Sequence, residues 1–119
     1  MKRDLPERSF QFALRIVKFC QVLDKKPGVS RTLSNQLLRS GTSIGANIEE
    51  GQASQSKANF ISKYSIACKE ARETHYWLRL LIGGKIVEEY KLLPLLQESD
   101  ELIAILTTIV KKMKIKENG

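Results

Sequence analysis

Apolar residues recur along this chain at steps of three and four, the spacing that lays a stripe along one face of an α-helix. Phe60, Tyr64, Ala67, Ala71, Thr74, Leu78 and Leu81 keep that step throughout. Leu33, Leu37, Gly41, Ile44, Ile48 and Gly51 do the same, and a further face is filled by Leu92, Leu95, Leu96, Ser99, Leu102, Ile103, Leu106, Ile109, Val110 and Met113. The first stretch is broader, with Phe12, Ile16, Phe19 and Leu23 on one stripe and Phe10, Ala13, Val17 and Cys20 on the next. Nothing alternates with period two over a useful length, so no strand is expected.

The breaks between stripes carry helix punctuation. Lys25-Lys26-Pro27-Gly28 ends the first, Ser30 and Ser56 are N-cap candidates, Gly83-Gly84 stops the third, and Pro94 suits a first turn. The pattern predicts helices over about residues 7–24, 30–52, 56–82 and 93–114. Four amphipathic helices on short loops imply one all-α domain over residues 1–119, an antiparallel up-down four-helix bundle.

Composition sharpens this. Of 119 residues, 42% are hydrophobic and 28% charged, with seven Gly and three Pro, which excludes disordered and collagen-like classes. Twenty Lys and Arg against thirteen Asp and Glu leave a net charge of +7, which favours an acidic partner such as nucleic acid. Cys20 and Cys68 are too few for a disulfide framework and fall in apolar periodic segments, as buried thiols of a reducing cytoplasm would. Residues 1–8 do not read as a secretory leader. Leu102 to Val110, the longest weakly polar stretch, falls well short of the ~20 residues that span a bilayer. A cytoplasmic protein without a membrane partner is expected.

The inventory offers little for catalysis. A di-metal bundle site needs Glu-x-x-His pairs, but the single His75 stands five residues after Glu70 and two after Glu73, off both helical-face spacings. Cys20, Cys68 and His75 lack zinc-ligand spacing, and Cys68 and His75 lie two turns apart, ~10 Å along one helix, too far to pair. Gly83-Gly84 ends a helix and cradles no phosphate. No enzyme, metal or cofactor is expected.

Two helices carry a second seam. On the third, Ile66, Glu70, Glu73, Trp77 and Leu80 again step by four and three, more than an isolated bundle needs to cover. A homo-oligomer interface centred on Ile66, Trp77 and Leu80 is expected; the plainer reading is a Trp partly covered by its neighbours. On the second, Gln36, Ser40, Ser43, Asn47, Glu50 and Ser54 form a small, polar seam beside Gly41 and Gly45, where another backbone can approach closely. Ser43, Asn47 and Glu50 are expected to serve structure, with Asn47 buried and fixing register; a ligand site at Asn47 and Glu50 is the sharper alternative. The cations are grouped: Lys69, Arg72 and Arg79 share a flank with Tyr76, Lys111, Lys112, Lys114 and Lys116 follow the last heptads, and Arg8, Arg15 and Lys18 form a stripe on the first helix.

The run from Leu37 to Gly51, LLRSGTSIGANIEEG, followed by SKANF at residues 56–60, resembles the signature of bacterial four-helix-bundle proteins encoded by intervening sequences within 23S ribosomal RNA genes. The similarity continues through IACKEARET at 66–74 and YWLRLL at 76–81, and with the flanking helices covers roughly residues 8–115. The family's small-residue and Asn-Ile-x-Glu-Gly elements fall on Ser43, Asn47, Ile48, Glu50 and Gly51. The resemblance implies a bundle assembling as a ring, often a pentamer, with no assigned catalysis. A related branch, the accessory protein of diversity-generating retroelements, is thought to bind nucleic acid and a reverse transcriptase, and this sequence is closer to the intervening-sequence branch.

Two functions fit. One is a non-enzymatic oligomer that binds RNA or DNA through phosphate charge, using Lys69, Arg72, Arg79, Lys111, Lys112, Lys114 and Lys116. The other is an oligomeric scaffold that presents helical surfaces to a protein partner.

Overall fold

The computed structural model describes residues 5–118, with side chains described as far as Lys116. Residues 1–4, which carry half of the leader reading above, and Gly119 lie outside the described residues. The described chain forms α1 (Leu5–Leu23), α2 (Val29–Gln52), α3 (Lys57–Gly83) and α4 (Glu89–Asn118), with no strand among these residues. Each helix packs closely against the next in the chain, the α1 backbone approaches that of α4 at only a few positions, and the backbones of diagonal helices stay farther apart. This is the expected up-down four-helix bundle.

The helical stripes become the core. Phe12, Ile16, Leu37, Ile44, Ile48, Tyr64, Leu78, Leu81, Leu92, Leu102 and Leu106 are all essentially sealed from solvent. Polar residues that interrupt the stripes are satisfied in place. The Thr74 hydroxyl donates to the Glu70 carbonyl at 2.8 Å and lies 2.9 Å from the Ser40 hydroxyl, while Ser99 donates to the Leu96 carbonyl at 2.7 Å. Among the described residues no buried side-chain polar atom lacks a partner, as a well-formed interior requires.

Glycine sets the α1–α2 spacing. A Cβ on Gly41 would stand 2.9 Å from Ile16 Cγ2, and one on Gly45 would stand 3.4 Å from the Ser9 carbonyl oxygen. The element that approaches these glycines is therefore the chain's own α1, through the Ile16 side chain at Gly41 and the Ser9 backbone at Gly45. Cys20 and Ser34 tie the same pair of helices reciprocally: Sγ donates to the Ser34 carbonyl at 3.5 Å, and Ser34 Oγ to the Cys20 carbonyl at 3.3 Å.

The helix ends depart from the expected boundaries for identifiable reasons. α2 begins at Val29, capped by Gly28 at φ 83° and not by Ser30, which lies inside the helix. Ser56 does cap α3, accepting from the Asn59 N–H at 3.1 Å. α3 closes with a six-to-one bond from Ile86 N–H to the Leu81 carbonyl and a bond from Lys85 N–H to that of Ile82, both 3.0 Å. In this Schellman arrangement the left-handed residue is Lys85, at φ 58°, while Gly84 is right-handed. α4 starts at Glu89, four residues before the expected 93, so exposed Pro94 sits in the second turn. There it lacks the bond to the Tyr90 carbonyl, and its ring crowds that same carbonyl.

α1, about 28 Å long at 1.5 Å per residue, is much shorter than α4, about 45 Å by the same measure. Arg8 spans from α1 to Glu98 and Glu101 of α4. That level places Leu5 near residue 102, and the last turns of α4 continue beside α3 beyond the start of α1.

Candidate functional site

Along the outer face of the α3–α4 pair runs an open groove of about 450 Å³. Half-buried Ser65 and Cys68 of α3 and Val110 of α4 form its floor, and its exposed rim is Lys69 and Arg72 from one helix and Thr107, Lys111 and Lys114 from the other. Each rim pair of cations is spaced i, i+3 and so shares a helix face, and because Thr107 lies level with Cys68 and Arg72 the two pairs stand toward opposite ends of the groove, Lys69 and Arg72 at one end and Lys111 and Lys114 at the other. Arg72 Nη2 donates to Thr107 Oγ1 at 3.4 Å, and Cys68 Sγ lies 3.4 Å from the same hydroxyl.

No carboxylate lines this groove, and among the described residues none of its four cations is in an ion pair. Like charges held close without a counter-charge raise the local potential and draw in anions. Two groups of cations that lie some 40 positions apart in the sequence thus line one groove. Cys68, expected to be buried, is only half-buried; Ala67 takes the core position beside it, which turns the thiol to the outer face.

The other expected cations lie elsewhere. The Arg79 guanidinium sits over the exposed Tyr76 ring, 5.7 Å from its centroid, about two turns along α3 from Arg72. Lys112 and Lys116 occupy a different face of α4, around a cavity of about 400 Å³ formed with Ile109, Met113 and Ile115. Arg8 is not a free cation. Its Nε and Nη2 grip Glu98 at 3.0 and 2.7 Å and Nη2 also reaches Glu101 at 2.9 Å, so hydrogen bonding to Glu98 foremost holds its pKa above the usual arginine value.

The two second seams meet on the outer side of α2 and α3. Arg39 of α2 bonds Glu70 at 3.1 Å and also Glu73 of α3, and Trp77 Nε1 donates to Glu73 at 2.9 Å. Trp77 is half-buried, whereas Ile66 and Leu80 are 36% and 38% exposed. Asn47 is half-buried and donates to the Ser43 carbonyl of its own helix at 2.8 Å, and Ser43 donates to the Arg39 carbonyl at 2.7 Å. These bonds stay within α2. The polar links that cross to α3 are Arg39 to Glu70 and Glu73, Ser40 to Thr74, Glu50 to Lys63 at 2.7 Å, and Gln52, whose amide donates to the Tyr64 hydroxyl at 2.5 Å.

The family model for the 23S rRNA-intervening sequence protein matches residues 2–108. The chain belongs to that family. A crystal structure of a protein of unknown function from the S23 ribosomal protein family of Bacteroides thetaiotaomicron is 42% identical and superposes with a TM-score of 0.84. The match covers 91% of this chain and 99% of that one. Among curated proteins none matches. Membership in the 23S rRNA-intervening sequence family fits the motifs on α2 and α3, but the family match ends at residue 108, just before Val110, Lys111 and Lys114 of the groove.

Spacing within single helices could not reveal Arg39 as the partner of Glu70 and Glu73, because that contact joins two helices. A signal was present: two acids in an otherwise apolar seam on α3, and an arginine, Arg39, directly beside the small polar seam of α2. Glu98 and Glu101, at i and i+3 on α4, similarly marked a receptor for a cation such as Arg8.

Proposed function

We propose that this chain is a non-enzymatic, basic, homo-oligomeric bacterial protein of the cytoplasm that binds RNA or DNA through the phosphate backbone. The observation that carries the reading is the groove lined by Lys69, Arg72, Lys111 and Lys114 with no acid among them. Such a rim neutralises phosphates and offers no fixed pattern of donors and acceptors for reading bases. Aromatic rings, which strengthen single-strand binding by stacking, are absent from it. Arg79 and Tyr76, and Lys112 and Lys116, extend the basic surface on either side. In a ring assembly, for which the half-exposed Ile66 and Leu80 around Trp77 supply an apolar contact, each groove would be repeated around the axis. A pentamer is the stoichiometry the resemblance suggests.

A salt-titrated gel shift with structured RNA and duplex DNA tests this. Affinity should fall linearly on a log–log plot of salt. Changing Lys69 and Lys111 together to Gln should weaken binding to unrelated sequences by a similar factor and flatten the slope by about two. If nothing binds at low ionic strength while a protein partner is retained, the oligomeric scaffold is the correct function. The exposed Ile66 and Leu80 are the observation favouring that second reading.

A further inference from the structure

The nucleic-acid reading uses the rim of the α3–α4 groove and leaves its floor without a role. Phosphodiester contacts need cations and donors. They do not need the apolar depression that Val110 and the half-buried Cys68 create below the rim. At about 450 Å³ the groove lies in the size range of small-molecule sites, which are mostly apolar with a few charged groups fixing orientation. A bare inorganic anion would meet the lysines and leave the floor wet; a neutral apolar molecule would leave the cations without a counter-charge. Both parts are used by one kind of ligand, an anionic head on a short apolar body.

We propose that the groove is a binding site for a small soluble amphipathic anion, a phosphate or carboxylate carrying a short alkyl or aryl chain. Its head meets Lys69 and Arg72 at one end of the groove, and its apolar body lies along Cys68 and Val110 toward Lys111 and Lys114. Arg72 is already positioned for this, because Thr107 accepts one of its guanidinium hydrogens at 3.4 Å and holds the fork over the floor. This rests on the same cations as the nucleic-acid reading and adds a regulation to it. The occupied groove presents neutralised cations, so ligand and nucleic acid compete.

The test uses the full chain with isotope-labelled backbone and Val methyl groups, titrated with octyl phosphate, inorganic phosphate and octanol. Octyl phosphate should shift the Val110 methyl, Cys68 and Thr107 resonances saturably. It should bind at least tenfold more tightly than inorganic phosphate or octanol, because burying even two methylenes is worth about that factor. Val110→Asp, which places a carboxylate in the floor of an otherwise unchanged helix, should abolish octyl phosphate binding. Val110→Leu, which keeps the apolar floor, should retain it within about threefold, so a failure specific to Asp is not a failure to fold. Equal affinity for octyl phosphate and inorganic phosphate would overturn the proposal, as would the absence of a saturable shift. Co-sedimentation with phosphatidylglycerol vesicles with no binding of monomeric octyl phosphate would overturn it in favour of a lipid surface. RNA added to the complex should displace octyl phosphate. If RNA binds and octyl phosphate does not, this inference fails and the nucleic-acid reading stands; if octyl phosphate binds and no nucleic acid does, the outcome is reversed.

Discussion

The Gly41→Ala substitution adds one methyl group where α1 and α2 approach most closely. In an exposed helix interior the change would stabilise by about 1 kcal/mol, since alanine loses less backbone freedom on folding than glycine. Here the new carbon would lie 2.9 Å from Ile16 Cγ2, 3.0 Å from Cγ1 and 3.3 Å from Cβ. Carbon atoms rest at about 3.5–4.0 Å, so the shortfall at Cγ2 is 3.5 − 2.9, about 0.6 Å at the least. Ile16 has no exposed surface and is β-branched, with one strongly preferred χ1 in a helix, so it cannot turn aside. The helices must therefore part, and the Cys20–Ser34 bonds, at 3.5 and 3.3 Å, have no slack to follow. Overpacking of this kind costs ~1–3 kcal/mol, and the propensity gain offsets part of it. A net loss of up to ~2 kcal/mol, or up to about 8 °C in Tm for a domain of this size, should appear in thermal unfolding followed by far-UV circular dichroism at matched protein concentration. Gly83→Ala is the control, because no atom lies within 4 Å of a Cβ built there; it should be neutral or stabilising. Ile16→Ala opens a cavity that the Gly41→Ala methyl partly fills, so the double variant should be more stable than the sum of the singles predicts, by ~1 kcal/mol. If Gly41→Ala behaves like Gly83→Ala, the close approach of α1 and α2 is wrong.

Lys85→Gly should raise Tm by a few degrees, since a non-glycine residue in the left-handed position costs ~1 kcal/mol; an unchanged or lower Tm would count against the C-terminal geometry of α3. Arg39→Met leaves the buried Glu70 without its cation and should destabilise by ~2–4 kcal/mol, with urea midpoints as the measure and with Arg39→Lys recovering only part of the loss. Burial pushes the Cys20 thiol above its usual pKa, so the native protein should show one slow thiol to Ellman's reagent and one faster, Cys68. Because the unfolded chain would release the Cys20 proton first as pH rises, stability from this group is intact below about pH 9 and falls above it. Trp77→Asp should dissociate the proposed oligomer in light scattering while helicity is retained; a 13.5 kDa species in the unmodified protein at tens of micromolar would end the oligomer reading.

The fold was legible because each stripe needed only its own helix. Phe60 to Leu81 on α3 and Leu33 to Gly51 on α2 turn inward as their spacing dictates, with Phe60 and Leu33 at the half-buried margin. What single-helix spacing does not contain is which faces meet. Lys69 and Arg72 were readable as a flank, and Lys111 and Lys114 as part of a tail, but that both line one groove depends on how far α4 slides along α3. The same holds for Arg8, read as part of a basic stripe and found neutralised by Glu98 and Glu101. Helix starts were less legible because Ser30 and Pro94 are each compatible with two positions in a first or second turn.

The sparse meeting of α1 with α4 bears on how the chain reaches its native state. Every extensive interface joins helices that are neighbours in the sequence, so the chain can assemble as three successive hairpins whose loops close over short separations. The distant pairing that usually slows folding, bringing the two ends of the chain together, is here the slightest contact. Refolding should accordingly fall in the fast range of helical bundles, microseconds to milliseconds. Removing Arg8's clasp should accelerate unfolding of the single domain while leaving its folding rate almost untouched.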